Sequence, residues 1–145
     1  MIDQRQIQAF TQLLRHLGVL FMKVAGQQST THATFNKQEL MALGVLGIRG
    51  ACRMGEIAEH LGVGQSAITP LVDRLEKDGV ARRLRSREDR RVWLVELTEA
   101  GKAVFEAEEK VYQQVATEML APLSASERET LIALLERVKT AHPQV

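Results

Sequence analysis

The sequence predicts a mainly α-helical chain with one small β-hairpin, and three observations lead there. Apolar residues recur at three- and four-residue spacing through most of the 145 positions, as they do along one face of a helix. One stretch, Val80–Leu97, instead places β-branched and aromatic residues on either side of a polar tip. Aromatics make up only 4% of the chain, so Leu, Val, Ile and Ala must supply the core. With 45% hydrophobic and 26% charged residues, and a length that suits one domain, the chain can bury a single packed core.

The first helix is expected over about Asp3–Ala25, where Ile7, Phe10, Leu14, Leu17, Phe21 and Val24 share a face. The polar stretch Gly26–Phe35 breaks it. Asn36 with Glu39 three residues later has the capping-box pattern, in which each side chain satisfies a free backbone N–H of the other's turn. A helix should therefore start near Lys37 and run through Leu40, Leu43 and Leu46 towards Gly47. Beyond Gly50 and the short segment Ala51-Cys52-Arg53, Met54–Leu61 gives two turns burying Ile57, Ala58 and Leu61. Gly62 stops them, because glycine tolerates a left-handed backbone.

A new pattern of Ala67, Ile68, Leu71, Val72 and Leu75 ends at Asp78-Gly79. Two short helices joined by a tight glycine-bearing turn make a helix-turn-helix. Pro70 has no amide for an interior helical position, so this second helix is expected to start late or bend near Ser66–Pro70. Val80–Arg85 and Arg91–Leu97 then form the hairpin, with Ser86–Arg90 as its tip. Thr98 caps a helix opening with Glu99 and continuing through Val104, Ala107, Val111, Val115 and Met119. Pro122 ends it, and Ser124 with Glu127 caps a last helix through Leu131, Leu134, Leu135 and Val138.

The helices at both ends carry broad apolar stripes with no large intrachain cover, which a second copy of the chain would supply. Residues of about 1–25 and 105–145 are therefore expected to dimerise, and residues of about 36–99 to form the helix-turn-helix and hairpin unit. No apolar run approaches the roughly 20 residues of a membrane span, and no charged leader precedes an apolar stretch. Cys52 is the only cysteine and has no intrachain partner. No zinc spacing, nucleophile–base pairing or phosphate-binding glycine loop is evident, so no catalytic residue, metal or cofactor is expected. The expectation is a cytoplasmic, non-enzymatic protein.

Net charge is only +1, but Arg82–Arg91 holds six arginines against Glu88 and Asp89. Such a stretch points at an anion. For duplex DNA the arrangement has a physical logic. The second helix fits the major groove, and an arginine-tipped hairpin reaches the adjacent minor groove, whose negative potential favours arginine. Gln65, Ser66 and Thr69, short and polar at the helix start, are candidate base contacts. Arg74 is placed for a phosphate, and Arg87, Arg90 and Arg91 are the candidate hairpin contacts.

Met54–Gly79 (MGEIAEHLGVGQSAITPLVDRLEKDG), Asp89-Arg90-Arg91 and Leu97-Thr98-Glu99-Ala100-Gly101 together resemble the multiple-antibiotic-resistance regulator (MarR) family over nearly the whole chain. The resemblance implies a winged-helix homodimer, a pseudo-palindromic operator on double-stranded DNA, and repression relieved by a small-molecule effector or an oxidant. It implies that Arg91 enters the minor groove, that Asp89 braces it, and that Gln65, Ser66 and Thr69 face the major groove. Pro70 departs from the family pattern, standing where many members carry Arg or another polar residue. Thr69-Pro70 is similar to the peroxide-sensing branch, but that branch resembles a sensor with a cysteine in the first helix, and this one has none.

Cys52 suits a buried apolar position. His16, His32, His60 and His142 are scattered, and Glu39 is followed by Leu40 where zinc-sensing members place His, so no metal site is expected. Trp93 and Tyr112 are expected in the core, with an effector cleft as their alternative. A protein-interaction module built on the same winged helix is the competing function. It does not require an arginine-dense tip.

Overall fold

A computed structural model of the chain describes residues 1–28 and 31–143. Its elements are α1 (Gln4–Gln28), α2 (Thr31–Thr34), α3 (Lys37–Arg49), β1 (Cys52–Arg53), α4 (Met54–Leu61), α5 (Gln65–Lys77), β2 (Ala81–Arg85), β3 (Trp93–Leu97), α6 (Glu99–Leu120) and α7 (Ala125–Ala141). The fold is mainly helical with a three-stranded antiparallel sheet in the order β1-β3-β2.

The expected caps are formed. Asn36 accepts from the Glu39 amide and Glu39 accepts from the Asn36 amide, both at 2.9 Å. Ser124 and Glu127 exchange the same pair of bonds, and Thr98 Oγ1 accepts from the Gly101 amide at 3.1 Å. Gly62 ends α4 at φ 64°, ψ 30°, the left-handed region that a side chain would strain.

The main core lies between α3, α4, α5 and the sheet, around Leu43, Ile57, Ile68, Leu71, Val72, Leu75 and Val95. Each such side chain contributes about 1.5–3 kcal/mol by leaving water. A smaller cluster joins the end of α1 to α6 through Val24, Ala25, Val111 and Val115. This clasp explains why α1 runs past Ala25. α6 links the two clusters: Val104 and Phe105 pack on the main core, and later turns pack on α1. The boundary expected near residue 105 thus falls inside one continuous helix. In contrast, α7 buries none of its residues.

Four expectations need correction. The stretch Gly26–Phe35 is not a loop throughout, since α1 continues to Gln28 and Thr31–Thr34 makes one helical turn. Residues 29 and 30, and the His32 side chain, lie outside what the structure describes. The Ala51–Arg53 segment contains a strand, because Cys52 pairs with Val95 and Arg53 with Leu94. The hairpin strands are shorter than expected and the tip longer, spanning Ser86–Val92. Asp89 is the reason: its carbonyl accepts from Val92 N–H and its carboxylate from Arg91 N–H, each at 2.9 Å, drawing both residues into the turn. Finally, α5 starts at Gln65 with Pro70 inside it, so there is no late start. Proline removes the donor that the Ser66 carbonyl would otherwise meet, but Ile68, Leu71, Val72 and Leu75 anchor the opposite face.

Candidate nucleic-acid interface

The site begins with a helix end that the chain itself does not cap. Gly64 precedes α5 and offers no side-chain acceptor, and the first turn holds no acidic residue. The free amides and the positive end of the helix dipole therefore face outward, an arrangement that suits an anion. Gln65, Ser66 and Thr69 are exposed on this first part of α5, while Ile68 turns into the core. The three predicted base-contacting residues do lie together on one solvent face.

Arg74, two turns on, is already engaged. Its Nε donates to Glu39 Oε1 at 3.0 Å, and 48% of its side chain remains exposed against 8% for Glu39. No sequence signal for this pair existed beyond the capping box that marked Glu39.

The arginine-dense hairpin divides into two sets. Arg82 is ion-paired with Glu96 at 2.7 Å across the β2–β3 ladder. Arg83 bridges two carboxylates on α5, Asp73 at 2.7 Å and Glu76, which joins sheet to helix. Arg85 stacks over the Trp93 ring, its guanidinium carbon 3.9 Å from the centroid, and donates to the Arg90 carbonyl at 3.0 Å. These three brace the hairpin. Arg87, Arg90 and Arg91 are exposed and have no ion pair among the described residues. The local excess of +4 in the sequence is therefore reduced by Asp73, Glu76 and Glu96, carboxylates from outside the ten-residue stretch. The charge available to a partner sits at the tip.

That tip is ordered by its own polar groups. Ser86 N–H donates to the Val92 carbonyl at 2.9 Å, and Ser86 Oγ accepts from the amides of Glu88 and Asp89 at 3.3 and 3.4 Å. Asp89 acts on Arg91 through the Arg91 amide. The brace is thus on the backbone that carries the guanidinium.

Leu97-Thr98-Glu99-Ala100-Gly101 closes the unit from behind. Thr98 Oγ1 donates to the Gly79 carbonyl at 2.6 Å, and Thr98 N–H to the Val80 carbonyl at 3.1 Å. A Cβ on Gly101 would overlap the Val80 carbonyl oxygen, so glycine lets α6 start directly beneath the α5–β2 turn.

Other singled-out residues lie apart from this surface. Cys52 is buried in β1, its thiol donating to the Gly50 carbonyl at 3.3 Å, and burial pushes its pKa up. Trp93 and Tyr112 are 46% and 54% exposed, so neither is core. Trp93 instead carries Arg85, and the Tyr112 ring lies 5.1 Å from that of Phe21. His60 is half-buried, while His16 and His142 are exposed. Among the described residues there is no cluster of three or more His, Cys, Asp or Glu able to hold a metal.

A model of the MarR family matches residues 35–93, the stretch from α3 through β2 and the hairpin tip to the first residue of β3. The uncharacterized HTH-type transcriptional regulator YdgJ of Bacillus subtilis (strain 168) is 30% identical over 117 residues, covering 81% of this chain and 71% of YdgJ. The uncharacterized HTH-type transcriptional regulator YfiV of the same organism is 37% identical over 97 residues, 63% of this chain. That match spans 61% of the length of YfiV. Among solved structures, Streptococcus pneumoniae FabT in complex with DNA superposes with a TM-score of 0.81, over 97% of this chain and 98% of that one, at 18% identity.

Proposed function

We infer the function from one premise: the chain belongs to the MarR family. It is a sequence-specific double-stranded DNA-binding transcriptional regulator and not an enzyme. The observation that carries this reading is the set of three unpaired guanidiniums, Arg87, Arg90 and Arg91, on a braced hairpin beside the exposed, uncapped start of α5. Gln65, Ser66 and Thr69 supply base contacts in the major groove. The hairpin arginines bind the backbone and the adjacent minor groove. Nothing observed favours the protein-interaction reading.

The regulator acts as a homodimer. Ile7, Phe10 and Leu14 on α1, with Leu134, Leu135 and Val138 on α7, are all exposed large apolar side chains. A shallow groove of about 350 Å³ along α7 is lined by Leu123, Leu131 and Leu134. A second copy removes these surfaces from water, and its twofold axis places two α5 helices on one face of a duplex. Bound there, the dimer represses by occupying the operator. Regulation by a small-molecule effector fits α6, whose start packs on the winged-helix core and whose later turns pack on α1. A ligand that shifts one packing shifts the spacing of the two wings. The site of action is the cytoplasm, with the chromosome; no helix among the described residues is long and apolar enough to cross a membrane.

Footprinting at the promoter of the protein's own gene and its neighbours tests the reading. Protection of two half-sites centred about one helical turn apart, roughly 10–10.5 base pairs, is expected. No protection at concentrations where the protein is dimeric, or half-sites half a turn out of phase, contradicts it. Sedimentation at micromolar concentration tests the dimer separately.

A further inference from the structure

We propose that Glu39, which is buried and does not belong to the DNA-facing surface, is the positioning residue for Arg74. The inference rests on the reading that α5 lies against a duplex.

The geometry carries it. Glu39 sits in the first turn of α3 with only 8% of its side chain exposed. Its two carboxylate oxygens have separate tasks. Oε2 accepts from the Asn36 amide at 2.9 Å, closing the capping box, and Oε1 accepts from Arg74 Nε at 3.0 Å. The cap fixes the carboxylate, and the fixed carboxylate holds the guanidinium. An arginine held through Nε keeps both terminal amino groups for another acceptor. Those of Arg74 have no partner among the described residues. Arg74 itself lies on the exposed stripe of α5 that Ser66 and Pro70 also occupy, one turn apart at each step. Arg74 is thus presented to a phosphate with its rotamer already restricted. Most of the entropy lost when a long side chain docks is then lost on folding and not on binding.

Bulk electrostatics predicts the opposite sign for removal of the Glu39 charge. A carboxylate near DNA repels phosphate, so neutralising it should tighten binding. If Glu39 positions Arg74, neutralising it weakens binding. Glu39→Gln isolates the effect, because glutamine can still serve the capping box.

The test is a titration of a mixed-sequence duplex of about 40 base pairs, long enough for two half-sites, across a salt series. Wild type, Glu39→Gln, Arg74→Ala and the double variant are compared, with thermal melts confirming that each is folded. Arg74→Ala is expected to weaken binding and to flatten the salt slope by up to about two units, since a dimer presents the residue twice. Glu39→Gln should bind about three- to tenfold more weakly with an unchanged slope, because the Arg74 charge is still there. The double variant should match Arg74→Ala, a non-additivity that a purely structural role for Glu39 does not produce.

Equal or tighter binding by Glu39→Gln, or losses that add in the double variant, would overturn the inference. Should Glu39→Gln not fold, Arg74→Lys decides, since lysine keeps the charge but has no Nε fork. It should keep the slope and lose affinity; wild-type affinity would overturn the proposal. A wild-type protein that binds this duplex with no salt dependence refutes the DNA reading itself, before any variant is compared.

Discussion

Arg83 on β2 reaches Asp73 on α5 at 2.7 Å, and the same guanidinium also meets Glu76, so the hairpin and the helix beside it are joined by a bidentate clamp. The clamp has a consequence for the DNA-binding surface. It ties together the two elements proposed to enter neighbouring grooves, and the arginine that joins them is already engaged. Arg83→Met should lower stability by about 1 kcal/mol, because Asp73 is well exposed and the network only partly shielded from solvent. A melting temperature about 2–4 °C lower is expected. Duplex affinity should fall with the salt slope unchanged. A flattened slope would show that Arg83 contacts phosphate and is not a clamp.

Asp89 gives a prediction about sign. Removing a carboxylate from a tip proposed to face DNA should tighten binding on charge alone. Its Oδ1, however, accepts from the Arg91 amide at 2.9 Å and sets the tip turn. Asp89→Ala should weaken binding, whereas Asp89→Asn, which keeps an acceptor at that atom, should bind at least as well as wild type. Tighter binding by the alanine variant would remove Asp89 from the account. Gel-shift titration of the three proteins on one duplex is sufficient.

Two glycines in helices should respond oppositely to alanine. A Cβ at Gly101 would overlap the Val80 carbonyl oxygen, whereas one at Gly44, in the middle of α3, meets nothing within 4 Å. Gly101→Ala should destabilise by about 1–3 kcal/mol or more through overpacking against backbone. Gly44→Ala should stabilise by about 0.5–1 kcal/mol by removing unfolded-state freedom. Urea denaturation of both variants measures the difference.

Cys52 should behave as a structural thiol. Burial pushes its pKa above the ordinary value, and its Sγ donates to the Gly50 carbonyl. At neutral pH it stays protonated, so iodoacetamide should label it far more slowly in the native protein than in urea. Equal rates would place it at the surface.

Periodicity made every long helix legible, and the two capping boxes and Gly62 located helix ends because those motifs are local bonds between near neighbours. The longer first helix, by contrast, depends on Val24 and Ala25 packing against Val111 and Val115, nearly ninety residues away. The strand at Cys52–Arg53 is two residues long and exists only because β3 offers it an edge.

At the site, the sequence singled out Arg87, Arg90 and Arg91 as the hairpin contacts, but not what holds the other three arginines. The partners of Arg82 and Arg83 are carboxylates brought from β3 and α5, and only the folded chain places them there. The role of Gly101 was likewise hidden, since only the folded chain shows the Val80 carbonyl above it.

The unpaired tip arginines are proposed to bind the backbone of duplex DNA, and a salt series on Arg87→Ala/Arg90→Ala is the decisive test. Each phosphate contact releases counterions and contributes about 0.9 to the slope of log K against log salt. Two arginines in each of two protomers predict a slope flatter by up to about four units, with the fold intact by circular dichroism. A double variant that binds with the wild-type affinity and the wild-type slope would contradict the account.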